Sequence, residues 1–282
     1  MTKISDYRDQ LLQQVQKASD QLDAGTQEIL DLAGSDEQIA ALIERLANPA
    51  TSAADQLSAI GTLTVVGIFS KVLPTRSAEL TNALRGLIKS PDAEVRRQAL
   101  SFLSLRGDEV AQQHLRSELE SDKPEAEKSV PTYQAIAMLG ADEKGIDKDL
   151  LLAIAQNPPD DASLIQAVRH LPADADTAPV LTKILQDESK PFAARALIPD
   201  IVNNFDPGGF ASVAKRMLEE QGAASEIAPY LARGVASIRP HKDQKGVEEA
   251  REVIRSMAPT ATVLFRQAAD QLTLPAGALS NE

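Results

Sequence analysis

The sequence predicts an all-α protein in which helix pairs stack as a right-handed α-solenoid of about six to seven repeats. Three observations lead to this fold class. A short phrase of polar, small, aliphatic, two free and aliphatic positions recurs along the chain. Its copies lie 29 to 40 residues apart, a period that indicates stacked supersecondary units. Hydrophobic residues make up 43% of the chain but aromatic residues only 3%, which suits thin layers of aliphatic side chains.

The phrase is typical of a helix that packs closely against its neighbours. Residues three and four apart share a helix face, so the small residue and the last aliphatic residue lie in one buried stripe. The polar residue lies about 100° away, off that stripe. The small residues of the six copies are Ala59, Ala99, Ala135, Ala167, Ala196 and Gly234. The copy at Ala196 is irregular, because Asp200 stands where its last aliphatic residue should be.

Capping helices are predicted over 1–34, ahead of the repeats. Residues 4–23 carry apolar side chains at steps of three and four, and a shorter helix is expected at about 26–33. A solenoid needs such helices to cover its first open face. The start of the sequence shows no apolar segment typical of a signal peptide, so we expect a cytoplasmic protein.

Helix pairs are predicted across 35–238, with the phrase on the second helix of each pair. The first helices are expected near 36–46, 77–89, 108–120, 147–156, 176–186 and 210–220. The second helices are expected near 53–72, 91–105, 125–139, 160–171, 191–204 and 223–238. Helix-start signals such as Ser35 followed by Gln38, or Ser90-Pro91-Asp92, separate them. A polar loop and a last helix pair near 246–257 and 259–273 form a C-terminal cap over 239–282, continuous with the repeats.

One repeat resembles the HEAT-repeat family. Its signature is Asp-x-x-Val-Arg followed by Ala-Leu, and the chain carries it as Asp92-x-x-Val95-Arg96-x-x-Ala99-Leu100. Residues 189–197 are similar to a contracted copy. The resemblance implies a non-enzymatic protein-binding scaffold or adaptor, which binds its partner in the groove lined by the second helices.

The polar position of the phrase is expected to form a stripe along that groove. Together with neighbouring arginines it supplies the predicted contacts to another protein or peptide, namely Arg97, Gln98, Gln134, Gln166, Arg169, Arg195 and Arg233. The alternative is that these are ordinary surface residues. The second repeat is also locally basic through Arg76, Arg85, Lys89, Arg96, Arg97 and Arg106. These residues either pair with acidic residues of neighbouring repeats or form a pocket for an acidic peptide.

A second contact is predicted in the apolar run 64–73, which makes the first repeat longer than the others. Val66, Ile68 and Phe69 are its candidate contact residues. Two interpretations stay open. The run lengthens a second helix that is buried beneath the helix predicted at 4–23, or it is a contact surface for a partner or a second copy of this chain.

The sequence offers no motif for catalysis, a metal or a cofactor. There is no Cys, and no two of His114, His170 and His241 have metal-ligand spacing. The net charge of −12 argues against a nucleic-acid partner. The least polar run, 57–70, is too short to span a membrane. The alternative function is a HEAT-like enzyme or a cofactor-handling protein such as a bilin lyase, because the signature of those lyases is mostly the repeat itself.

Overall fold

The computed structural model describes residues 24–140, 145–239 and 245–272, and all regular structure in these ranges is helical. They contain fifteen α-helices and three short 3-10 helices, without any strand. The predicted all-α class is therefore confirmed. The helix predicted at 4–23 lies outside the described residues, as do most of the loop at 239–245 and the last ten residues. None of the described helices is long and apolar enough to cross a membrane.

The α-helices follow the predicted pairs closely. In chain order they are α1 Ala24–Gly34, α2 Asp36–Ala47, α3 Ala53–Phe69, α4 Ser77–Leu87, α5 Ala93–Leu105, α6 Glu109–Glu120, α7 Thr132–Leu139, α8 Lys148–Gln156, α9 Asp161–His170, α10 Thr177–Gln186, α11 Phe192–Val202, α12 Pro207–Gln221, α13 Ala228–Ala236, α14 Lys245–Met257 and α15 Val263–Gln271. The 3-10 helices are Leu73–Arg76, Glu125–Glu127 and Ala258–Thr260. The largest shift concerns α7, predicted from residue 125, because Pro131 disfavours helical geometry in the residue before it.

Acidic and hydroxyl side chains mark where many of these helices begin. Ser35, Asp160 and Asp206 each accept a hydrogen bond from the backbone N–H three residues further along. The start of α5 differs from the prediction, because Asp92 rather than Ser90 is the capping residue. Its carboxylate accepts from the N–H groups two and three residues on, at 3.0 and 2.9 Å. One carboxylate oxygen thus satisfies two of the free donors that every helix start exposes.

The recurring phrase lies on α3, α5, α7, α9, α11 and α13. The small residue is buried in each copy. The last aliphatic residues of the five regular copies are also buried, namely Leu63, Leu103, Leu139, Leu171 and Ile238. In the irregular copy Asp200 is exposed and forms an ion pair with Arg233 of the following copy. The core stripe predicted from the phrase is therefore confirmed.

The helices form two compact units, α1–α6 and α7–α15. In the first unit the odd-numbered helices α1, α3 and α5 contact one another in order, while α2 contacts α4. In the second unit α7, α9, α11, α13 and α15 contact one another in order, with α8 against α10 and α12 against α14. Within each unit the two helices of a pair also pack on each other, as they do for the pairs that end in α3, α5, α9, α11 and α13. This succession of contacts is consistent with a helical repeat.

Side-chain bonds between neighbouring helix pairs support the packing in each unit. The guanidinium of Arg76 binds the carboxylate of Asp36 through two hydrogen bonds of 2.7 Å. Arg85 binds Asp108 with an Nη2–Oδ2 distance of 2.8 Å. Arg76 and Arg85 of the locally basic repeat thus pair with acidic residues of neighbouring repeats, which is one of the two interpretations given for that repeat. Both arginines are partly exposed to solvent, so each ion pair contributes little to stability.

Candidate interaction surface

The two groove residues predicted in the first unit, Arg97 and Gln98, are hydrogen-bonded within their own helix. Arg97 donates from Nε to Glu94 Oε2 at 2.7 Å, and Gln98 donates from Nε2 to Glu94 Oε1 at 3.0 Å. The hydrogen bond from Arg97, followed by that from Gln98, holds the pKa of Glu94 below its usual value. Both side chains are half-buried, so they lie at the surface with these donors already used.

Three predicted residues of the second unit lie on α7 and α9. Gln134 and Gln166 are half-buried, while Arg169 is exposed. Gln134 donates to Tyr133 Oη at 3.0 Å, and its own carbonyl oxygen is buried without a hydrogen-bond partner. Arg169 lies beside His170, whose pKa is lowered first by burial and then by the positive charge of Arg169.

Arg195 is not exposed in the way the predicted stripe requires. Its side chain is buried at the start of α11, with only 8% of the residue exposed, and Nε donates to the carbonyl oxygen of Leu185 at 3.0 Å. It nevertheless lines a cavity of about 400 Å³ together with Lys190 and Glu226. Within the described residues its Nη groups have no hydrogen-bond partner. They remain available to a group that enters this cavity.

Arg233 lies on α13, and its guanidinium has two contacts in this unit. It pairs with Asp200, and its guanidinium carbon lies 5.3 Å from the centroid of the Tyr230 ring, a cation–π contact. Arg233 and Tyr230 line a second cavity, of about 210 Å³, whose wall includes Leu264 and Gln267 of α15.

A pair of aromatic rings joins these features. The rings of Phe192 and Tyr230 meet edge to face, with centroids 5.5 Å apart and an interplanar angle of 80°. Phe192 is 38% exposed and Leu264 is 63% exposed. We call Phe192, Arg195, Tyr230, Arg233 and Leu264 the aromatic surface. It draws on three successive contacting helices of the second unit, α11, α13 and α15.

Sequence reasoning identified the two arginines of this surface but missed the apolar members. A signal for the rings was present, because Phe192 stands three residues before Arg195 and Tyr230 three residues before Arg233. Residues three apart share a helix face, so the last two copies of the phrase repeat an aromatic–arginine pair. Leu264 carried no such signal, since α15 has no copy of the phrase.

The apolar candidates of the first unit divide between core and surface. Val66 is buried with 1% exposed, Phe69 is half-buried, and Ile68 is 68% exposed. Val66 faces α1, and the hydroxyl of Ser70 donates to the carbonyl oxygen of Ala33 at 2.6 Å. The lengthened second helix is confirmed, since α3 is the longest described helix at 17 residues. The helix predicted at 4–23, which one interpretation places over α3, lies outside the described residues.

The chain matches no protein-family model, no curated protein and no solved structure. Its resemblance to HEAT repeats thus rests on its own residues, above all Asp92, Val95 and Arg96. In the described ranges no group of three or more His, Asp or Glu side chains is arranged to hold a metal ion.

Proposed function

We propose that this chain is a non-enzymatic protein-binding scaffold or adaptor, built as a HEAT-type α-solenoid, and that the aromatic surface binds its partner. The observation that supports this most is the partly exposed Phe192–Tyr230 ring pair with Arg195 and Arg233 beside it. Interfaces are enriched in aromatic residues and Arg, and tyrosine and arginine dominate their energetic hot spots. The chain has only six Phe and three Tyr residues, so two partly exposed rings in contact are a notable concentration.

The two cavities differ in chemistry and suggest what the partner brings. One is lined by the carboxylates of Glu188 and Glu226 and by Lys190 and Arg195, and the free Nη groups of Arg195 suit a carboxylate or a carbonyl oxygen. The other is lined by Tyr230 and Leu264, which suit an aliphatic side chain. A partner segment with an apolar residue and an acidic residue would satisfy both. Burial of the exposed part of Leu264 would add about 25 cal/mol per Å² of apolar surface.

The test uses the full chain and a matched control. Leu264→Asp places a charge in the aromatic surface, whereas Leu105→Asp makes the same change at a 70% exposed leucine in the first unit. Each protein is immobilised and exposed to an extract of the source cell, and retained proteins are quantified by mass spectrometry. A captured protein is then purified, and its Kd for each variant is measured by calorimetry.

We expect a partner that the unmodified chain and Leu105→Asp bind equally and that Leu264→Asp binds at least tenfold more weakly. Circular dichroism should show the same helical signal for all three, because both leucines are exposed. A set of proteins retained equally by all three chains, or no specific protein at all, would show that this surface is not the binding site.

A further inference from the structure

The first unit contains a larger cavity that the proposed function does not use. Its volume is about 700 Å³, and its walls come from α2, the start of α3, α4 and the loop before α5. Ligand sites in proteins typically measure about 300–1,000 Å³, with mostly apolar walls and a few polar groups. The apolar walls here include Ile43, Pro49 and Leu87.

Gln56 is a buried polar residue in the wall of this cavity. Only 7% of the residue is exposed, and its amide forms no hydrogen bond within the described parts of the chain. An amide offers one acceptor oxygen and two donor hydrogens. The amide is open to the cavity, so a ligand or solvent that enters the cavity can form the hydrogen bonds that the protein does not supply.

In the next helix pair an arginine side chain closes the equivalent corner. Arg96 holds the position equivalent to Gln56, three residues before the small residue of the phrase. Its guanidinium donates to the carbonyl oxygens of Ser90, Pro91 and Ser129 at 2.7, 3.0 and 3.4 Å. Gln56 is shorter and makes no corresponding bond, so the corner between the first two helix pairs stays open.

The charges around the cavity are mostly negative. Three carboxylates line it, those of Glu44, Glu79 and Asp92, against one ammonium, that of Lys89. Asp92 caps α5, and Glu79 accepts from Arg76 at 2.8 Å. Glu44 is exposed and has no ion pair with any described residue. A cationic ligand is therefore favoured at this edge of the cavity.

We propose that this cavity binds an extended polypeptide segment that carries a lysine or arginine side chain. The amide of Gln56 matches a peptide group, because each has one donor side and one acceptor side. The basic side chain lies toward Glu44, and the aliphatic walls contact the rest of the segment. This site is independent of the aromatic surface, which belongs to the other unit.

The binding experiment uses three pools of fluorescein-labelled hexapeptides. The central residue is Lys, Gln or Glu in the respective pools, and the flanking positions are mixed Ala, Leu and Ser. Fluorescence polarisation with the full chain should give at least tenfold tighter binding of the Lys pool than of the Glu pool, and the difference should shrink in high salt. Equal binding of the pools, preference for Glu or no binding at all would overturn the proposal.

Three variants locate the binding. Gln56→Arg copies the closed corner of the second pair and should reduce binding of the Lys pool at least tenfold. The matched control Gln113→Arg adds the same charge at an exposed glutamine of α6 and should change it less than twofold. Glu44→Gln removes an exposed carboxylate without disturbing the core and should weaken binding severalfold. Unchanged binding in Gln56→Arg or in Glu44→Gln would overturn the assignment, whereas Leu264→Asp should leave it unaffected.

Discussion

Replacement of Gly234 by alanine is expected to destabilise the protein, although alanine is the better helix former. Gly234 is the small residue of the last copy of the phrase, where the five other copies carry Ala. A Cβ atom there would lie 2.7 Å from Cζ and 2.9 Å from Cε1 of Phe210, and 2.9 Å from Cβ of Pro199. Both neighbours are buried, and neither ring can bend away as a flexible side chain could.

The size of the effect follows from two opposing terms. Glycine to alanine inside a helix gains about 1 kcal/mol. Forcing an extra methyl group into a packed core costs about 1–3 kcal/mol. The net loss in the free energy of unfolding is therefore about 0–2 kcal/mol, and we expect the upper half of that range because all three contacts of the added Cβ are shorter than 3.0 Å. The matched control is Gly61→Ala on α3, where a Cβ would meet nothing within 4 Å, so that variant should gain about 0.5–1 kcal/mol.

Urea unfolding followed by far-ultraviolet circular dichroism measures both variants against the unmodified chain. The unfolding midpoint should fall for Gly234→Ala and rise for Gly61→Ala. Combining Gly234→Ala with Phe210→Leu should cost less than the sum of the two single changes, because the shorter side chain relieves the contact. A Gly234→Ala protein as stable as Gly61→Ala would refute the close approach of α11, α12 and α13 at this position.

Two further predictions concern burial and charge. Val66→Ala should lower the free energy of unfolding by about 1–3 kcal/mol, because Val66 is buried, whereas Ile68→Ala should change it by no more than about 0.5 kcal/mol; equal shifts in melting temperature would contradict this division. The pKa of Asp174 is lowered to about 2 from an ordinary 3.8, first by the hydrogen bond from the backbone N–H of Thr177 and then by that from Lys148. The charged carboxylate therefore stabilises the fold above about pH 4. This contribution is lost as the pH falls toward 2. The stability difference between the unmodified chain and Asp174→Asn should shrink over that pH window in chemical-denaturation experiments, and a difference independent of pH would show that the carboxylate is not stabilised by charge.

The helices and their buried stripe could be predicted from the sequence because their causes are local. The phrase around Ala99 or Ala167 defines a core face through residues within one helical turn. Capping residues such as Asp160 and Asp206 satisfy N–H groups only three residues away. These signals need no knowledge of what packs against the helix, so they are legible in the sequence alone. The predictions failed locally where two capping residues competed, as at Ser90 and Asp92.

The candidate sites were decided by tertiary structure, because each depends on side chains about one repeat apart. The polar positions at Arg195 and Arg233 look equivalent in sequence, yet one is buried against Leu185 and the other reaches Asp200, 33 residues earlier. The contrast between Gln56 and Arg96 likewise arises from the reach of a guanidinium toward carbonyl oxygens of neighbouring loops. The sequence by itself determined which residues face inward. Only the packing of neighbouring helices decided which polar side chains are paired, because partners so far apart in sequence meet only after the helices have packed.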